Sequence, residues 1–512
     1  MPSLTSTLAR RMGFDPGAWL RDTRLMRARV AAYPAPAPRN DALRFAIVMA
    51  PWMGTSVPWF SLVCGLFLAA RGNRISFIVD DLPFGSHGLR FRFVVACMRS
   101  VLRRLRGHHE VIRLGAQRSD SALSEAERDA VCRLAELNAV WALRGEMSES
   151  GRAAHLERSV RQLGASHGAI GRVLQGGRFD VVFVPGGVWG STGLWTSHAR
   201  ARGIRLASYD SGGYGTLMLA ADGVACQLQD IPRAFAMLKA RPDWGQEHAA
   251  VVAAAQAEIG RRRGGVDKFA SQMQGSRQRD PRFDGAVLIA LNSSWDSAAL
   301  GLHVVFDDSM QWIVETVRYL LEHTDAPVIV RQHPAERLEI ARTSDDYHDL
   351  LARHVGSQPR LHFIAADEPV NSYDLLEQVA AVVVYTSTIG IEAAAHGKPV
   401  VTASRSYYAD LGFVWKAGDL QQYRALLSQA ASGGCVVTPA MRDDALCCYY
   451  LTQCCNWVFS PFNPEGFSDW SRQDLADLAR HVKVQATITS LERNVPVAFL
   501  NHLAQIESKE MV

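Results

Sequence analysis

Two short stretches of this sequence combine groups suited to an anionic ligand. In the first, AAVVVYTSTIGIEAAAHGKPVV, an apolar run leads to Thr386-Ser387-Thr388, and Gly390 follows where the chain must turn closely into a helix. Hydroxyls and free amides at a helix start supply donors beside the positive end of the dipole, which is what a phosphate requires. Glu392, in the first turn of that helix, could accept from ribose hydroxyls. The same residues also suit a plain helix start, with Ser and Thr as caps and Glu392 set against the dipole. The second stretch is Val330-Arg331-Gln332-His333-Pro334, at the end of an apolar strand. An Arg fork or a cationic imidazole there would offset phosphate charge. Ligands of open α/β sheets lie outside the carboxyl ends of the strands, so the two stretches should converge.

The elements that must position these groups alternate between strand and helix. RFAIVMA, NRISFIVDD, FDVVFVPGG and IRLASYDSGG read as strands of a first series, with a Pro-started helix over 58–70, long helical stretches near 88–107 and 122–175, and another near 192–202. GAVLIALN, APVIVRQHP, Leu361–Ile364, AAVVVYTS and GKPVVTAS read as strands of a second series, with helices over Met310–Glu322, from Asn371 and over Ile389–His396. Such alternation predicts an α/β protein with parallel sheets covered on both faces, in two Rossmann-like lobes facing a cleft. The expected division is a leader and Pro-rich linker at 1–43, a first lobe at 44–260, a connector at 261–284, a second lobe at 285–435, and helices at 436–512 that return to the first lobe.

VRQHPAE, followed by NSYDLLEQVAAVVVYTSTIGIEAAAHGKPVVTASRSYYADLGF, resembles bacterial capsule-polysaccharide biosynthesis proteins and related surface-carbohydrate transferases, over about 285–413. That grouping includes transferases that use CMP-Kdo, and the His-Pro and Ser/Thr motifs are similar to those of CMP-sialic acid transferases. The resemblance implies a GT-B fold whose second lobe holds a nucleotide-sugar donor. It places His333 and Pro334 beside the donor phosphate, Ser387 and Thr388 on it, and Glu392 on the nucleoside. Lys398 would shape the next strand with Gly397 and Pro399, Tyr407 or Tyr408 would line the cleft, and Asn292, Ser293 and Asp296 would stand at its mouth. The first lobe should supply the base: Asp210, in Tyr209-Asp-Ser-Gly-Gly213, is similar to an acidic-acidic-Gly motif of the relatives, except that Ser211 replaces the second acid. Asp80 and Asp81 are rivals at another strand end, and any of these Asp residues could simply form a turn.

The Gly-rich loop Pro185–Gly190 could admit a phosphate through bare amides, but it lacks the Lys-Ser/Thr of a nucleotide-hydrolysing P-loop. No Asp-x-Asp tripeptide occurs, so no metal is expected to hold the donor and no cofactor is implied beyond the nucleotide sugar as co-substrate. The resemblance then implies a metal-independent glycosyltransferase acting on a saccharide or lipid-linked acceptor, with CMP-linked ulosonic acids favoured over UDP-sugars. A nucleotide-sugar epimerase or hydrolase, or a non-catalytic saccharide- or nucleotide-binding subunit, would use the same scaffold.

At 512 residues the chain exceeds one hydrophobic core, and 48% apolar with 21% charged residues is the composition of a globular protein. A net charge of +4 is too small to argue for nucleic acid. A local basic run, Arg99, Arg103, Arg104, Arg106, His108 and His109, could face an anionic lipid or a phosphate-bearing acceptor, or be a solvated helix face. Nine cysteines, including the pairs at 447–448 and 454–455, lack Cys-x-x-Cys spacing and read as free thiols in a reducing compartment. Phe45–Ala70 carries no charge, yet Pro51, Gly54 and Pro58 interrupt it, which suits a strand, a turn and a buried helix better than a membrane span. No secretory signal is visible, so a cytoplasmic protein is expected, with peripheral contact on the inner membrane face allowed by the basic run.

Overall fold

The computed structural model describes residues 15–508 except 34–35, 53–54, 83–87, 119–121, 148, 214, 265–278, 340 and 458. The first part of the expected leader, two residues of the Pro-rich linker and the middle of the expected connector therefore lie outside the described residues. Contacts divide the chain into two compact units, the first comprising 1–138, 154–230 and 456–501, the second 139–153, 231–455 and 502–512. The backbone passes between units five times, at 138/139, 153/154, 230/231, 455/456 and 501/502.

The first unit is built on β1 (Arg44–Met49), β2 (Arg74–Val79), β3 (Glu110–Arg113), β4 (Val181–Pro185), β5 (Arg205–Gly213) and β6 (Thr216–Ala220). Their order is β3-β2-β1-β4-β5-β6, parallel except for β6, which runs antiparallel to β5. Continuous apolar sequence in β1, β2 and β4 reflects burial on both faces. The uncharged stretch resolves into β1 and a helix over Val57–Ala70, with Pro58 in its first turn and every residue from Val57 to Ala69 buried. A helix that is apolar all round must be buried somewhere, and here protein covers it. Among the described residues no helix is long and apolar enough to cross a membrane.

The second unit repeats the plan with β7 (Val287–Ala290), β8 (Val328–Arg331), β9 (Leu361–Ile364), β10 (Ala381–Val384), β11 (Val400–Thr402) and β12 (Trp415–Lys416). Their order is β12-β11-β10-β7-β8-β9, all parallel. In both sheets the strand order reverses between the first and fourth strands, which places a ligand crevice beyond the ends of β1 and β4 and of β7 and β10.

Two features depart from the sequence expectation. The helical stretch read as one element over 122–175 is two helices, Glu125–Leu143 and Arg152–Gly176. Arg144 adopts φ +57° and Gly151 φ +75°, and the intervening loop joins the second unit. The helix Trp244–Arg263, which spans the end of the expected first lobe and the start of the expected connector, also counts with the second unit. It packs against the helix Pro439–Tyr449, which covers the helix Ile389–Ala395 after β10. None of the nine cysteines forms a disulfide, and the pair at 454–455 lies on a π-helical turn rather than an α-helix.

Candidate functional site

Three loops meet at the carboxyl rim of the second sheet. The Thr386 amide donates to Asn292 Oδ1 at 3.5 Å, joining the loops after β10 and β7 on either side of the switch point. Ser293 Oγ donates to Glu336 Oε1 at 3.1 Å, joining the β7 loop to the turn that follows His333-Pro334. The expected convergence of the two motifs is thus carried by Asn292 and Ser293. Ser387 and Thr388 are half-buried, and Thr388 starts the helix Ile389–Ala395 without a side-chain cap bond. Their loop is anchored from behind by Tyr408, whose hydroxyl donates to the Ser387 carbonyl at 2.6 Å. Gly390 is demanded by that anchor, since a Cβ there would come within 2.6 Å of the Tyr408 hydroxyl.

His333 takes a different form from the cation expected. Burial and the neighbouring Arg331 charge push its pKa down, so the imidazole is neutral at pH 7. Its Nδ1 accepts from the Ala335 amide at 3.2 Å, where Pro334 begins a short 3₁₀ turn. The proton therefore sits on Nε2, and His333 can offer a phosphate one neutral N–H donor. The tautomer follows from the Ala335 bond.

Five other residues expected at the site serve the structure around it. Arg331 is 4% exposed. Its guanidinium donates to the carbonyls of Ala365 and Val370, holding the loop after β9. Glu392 is 4% exposed and pairs with Arg262 Nη1 at 2.9 Å. Its position on the helix turns it toward the covering helices rather than a nucleoside. Lys398 Nζ donates to the Val379 carbonyl at 2.8 Å, closing the end of the helix Ser372–Gln378. Tyr407 points away from the Ser387 anchor, its phenol beside Cys448 and Thr452 of the covering helical segment. Asp296 merely caps a turn, accepting from the Ala298 amide at 3.1 Å.

The loop from the other side of the chain supplies what sequence reading missed. Asp345 accepts from the amides of Glu146 at 2.8 Å and Met147 at 2.9 Å, and from Ser294 Oγ at 3.2 Å. Glu146 accepts in turn from the Ser309 amide at 2.8 Å, with His303 Nε2 4.0 Å away. Burial first, then the charges of Asp308 and Asp345, push the Glu146 pKa up to about 7. Because this exceeds its value in an unfolded chain, protonated Glu146 stabilises the fold at low pH, and that contribution is lost as pH rises through about 7. A Glu146→Gln variant, which mimics the protonated form, is expected to match wild type in thermal stability near pH 5 and to exceed it near pH 8. A stability difference independent of pH would contradict the assignment.

In the first unit the carboxyl rim carries aromatic rings and acids. Trp52 after β1 and Trp189 after β4 stack across the switch point, centroids 5.9 Å apart and planes 4° from parallel. Gly186 (φ +64°) and Gly187 (φ +105°) let the chain turn beside them. The Gly190 amide, expected to be bare, donates to Asn138 Oδ1 at 2.7 Å.

The three Asp residues separate clearly. Asp81 accepts from Arg113 Nε at 2.8 Å and from the Gly115 amide at 2.6 Å, so both oxygens serve the end of β3. Asp80 is 2% exposed; it accepts from Ser191 Oγ, and its Oδ1 is buried without a donor in bonding geometry among the described residues. Burial pushes its pKa up to about 7, tempered by Ser191 and the Leu82 amide. Asp210 is half-buried, accepts from the Ser211 amide at 2.8 Å, and stands on β5 one residue past its last pairing with β4. Among the described residues no group of three or more His, Cys, Asp or Glu side chains gathers as a metal site would require.

Two Rossmann-like units in one chain are the GT-B class of fold. Residues 248–433, a little over a third of the chain, match the family described as capsule polysaccharide biosynthesis protein, and this places that segment in the family expected from its motifs. Solved structures similar to the chain include a β-Kdo 2,4 transferase, KpsC, of Thermosulfurimonas dismutans, 15% identical with TM-score 0.36, over 58% of this chain and 87% of that one. Acinetobacter baumannii MurG is 10% identical with TM-score 0.26, over 80% and 94%. Methanocaldococcus jannaschii UDP-GlcNAc 2-epimerase is 12% identical with TM-score 0.25, over 80% and 99%. No curated protein matches the chain.

Proposed function

We propose that the protein is a metal-independent glycosyltransferase of bacterial surface-polysaccharide synthesis. The donor is a nucleotide sugar, a CMP-linked ulosonic acid such as CMP-Kdo in preference to a UDP-sugar, and the acceptor is a saccharide or lipid-linked saccharide. The observation that carries this reading is the meeting of the His333-Pro334 and Thr386-Ser387-Thr388 loops through Asn292 and Ser293, inside the segment that matches the capsule family.

In this reading the donor phosphate lies between His333 Nε2–H and the Ser387 and Thr388 hydroxyls. These neutral donors offset charge on the leaving nucleotide without the cost of burying a free cation. Asp210, half-buried on β5 one residue past its last pairing with β4, takes the proton of the acceptor hydroxyl. The outer faces of the Trp52–Trp189 pair offer an apolar platform for a sugar ring.

Thermal-shift titration with CMP, UDP, GDP and CDP tests the donor half. One nucleotide is expected to stabilise the protein, by about 3 kcal/mol at a hundredfold excess over Kd, and His333→Ala is expected to weaken that response about tenfold or more. No response to any nucleotide, or an undiminished one in His333→Ala, would sink the donor site. Acceptor-independent donor turnover would sink the transfer reading alone.

A further inference from the structure

The basic run between β2 and β3 forms a site that the transfer reaction does not use. From Gly88 to His109 the chain has six arginines and two histidines and no Asp or Glu. The helix Leu89–Leu102 occupies most of this segment and buries Phe91, Val94, Val95, Met98 and Val101 against the first unit. That burial fixes what the opposite face presents: Leu89, Arg92, Ala96, Arg99 and Arg103 recur at helical spacing and all are exposed. Leu89, at the start of this stripe, is 83% exposed.

The stripe ends in a cavity of about 300 Å³, where the helix and the turn after it meet β3. Arg99, Arg103, Arg106 and Arg113 line it, with Ala96, Leu102 and Val111 as its apolar wall. Arg113 is balanced by Asp81 at 2.8 Å. Arg99, Arg103 and Arg106 make no ion pair among the described residues. A solvated helix face ordinarily mixes both signs of charge, which lowers its self-repulsion. Three guanidinium groups converging on one concavity, with no acid among them, instead form a receptor for a group carrying more than one negative oxygen, and a phosphate matches the planar donor fork of Arg.

We propose that this cavity binds the phosphate of an anionic phospholipid and so docks the first unit on a membrane surface. The lipid source is favoured over a soluble phosphate by what adjoins the cavity. The arginines continue along an exposed stripe that would meet a plane of headgroups, and exposed Leu89 at the start of that stripe suits insertion between them. Docking needs neither donor nor turnover, so the inference stands apart from the transferase reading, and the failure of either leaves the other intact.

Co-sedimentation of the full chain with vesicles tests the proposal. Binding to phosphatidylcholine vesicles containing phosphatidylglycerol is expected to exceed binding to phosphatidylcholine alone by about tenfold or more, and to weaken as salt is raised. The triple variant Arg99→Glu, Arg103→Glu, Arg106→Glu should lose that excess. A charge-matched variant of exposed arginines on other helices, Arg128→Glu, Arg158→Glu, Arg161→Glu, should keep most of it. Leu89→Glu gives a second probe that leaves the cavity intact, and is also expected to weaken binding. Equal binding to neutral vesicles, or equal loss in both triple variants, would overturn the proposal. So would stabilisation by inorganic pyrophosphate that depends on Arg99 in a protein that ignores vesicles, since the cavity would then belong to a soluble phosphate.

Discussion

Replacing Asp210 with Asn is expected to lower kcat by about two to four orders of magnitude while nucleotide-induced stabilisation stays close to wild type. The carboxylate is lost but its size and its bond from the Ser211 amide can be kept by the Asn oxygen, so binding and folding should survive. The comparison with Asp80→Asn makes the test specific. Asp80 is buried, and its proton is held by desolvation rather than by a substrate. Neutralising it should leave turnover near wild type at low pH and raise stability above pH 7, where ionised Asp80 would otherwise be buried. A larger loss of kcat in Asp80→Asn than in Asp210→Asn would move the base to the Asp80–Ser191 pair.

Arg262→Met is expected to destabilise the protein by about 3–5 kcal/mol, read from denaturant unfolding. Burial alone would push the guanidinium toward losing its charge, but Glu392 and the phenols of Tyr449 and Tyr373 hold it protonated. Removing Arg262 takes from the buried Glu392 carboxylate the cation it pairs with at 2.9 Å. The double variant Arg262→Met, Glu392→Leu should recover much of the loss, because an apolar pair of similar volume avoids burying either charge. Glu392→Gln separates this role from the nucleoside contact suggested by family resemblance. Stability should fall while the donor KM holds; a large rise in KM with stability unchanged would restore Glu392 to the nucleotide.

The sheets were legible in the sequence because both are buried on two faces. AAVVVYTS and FDVVFVPGG are nearly unbroken apolar runs, and the structure places β10 and β4 inside them. The rim loops were legible for a related reason: Gly, Pro and hydroxyl residues punctuate those runs where strands must end. What a side chain does beyond its strand was not legible. Arg331 and His333 are two residues apart, yet one ties down the loop after β9 and the other caps the turn that begins at Pro334. The sequence suggests Glu392 as a ligand group because its partner Arg262 is 130 positions away, in the stretch expected to be the interdomain connector. Glu146 and Asp345 are 199 positions apart, and no local periodicity reports a contact that only tertiary folding creates.

The loop that brings Glu146 to Asp345 also decides how this molecule can be taken apart. Neither unit is encoded by a contiguous piece of gene. A fragment spanning 231–455 would lack Glu146 and Met147, whose amides Asp345 accepts, and would leave that carboxylate and the Ser309 amide to find water. Swapping the second unit for that of a relative would require three simultaneous grafts, of 139–153, 231–455 and the tail from 502, rather than one crossover. No single cut of the chain therefore separates the two units, and exchange by contiguous halves would divide both.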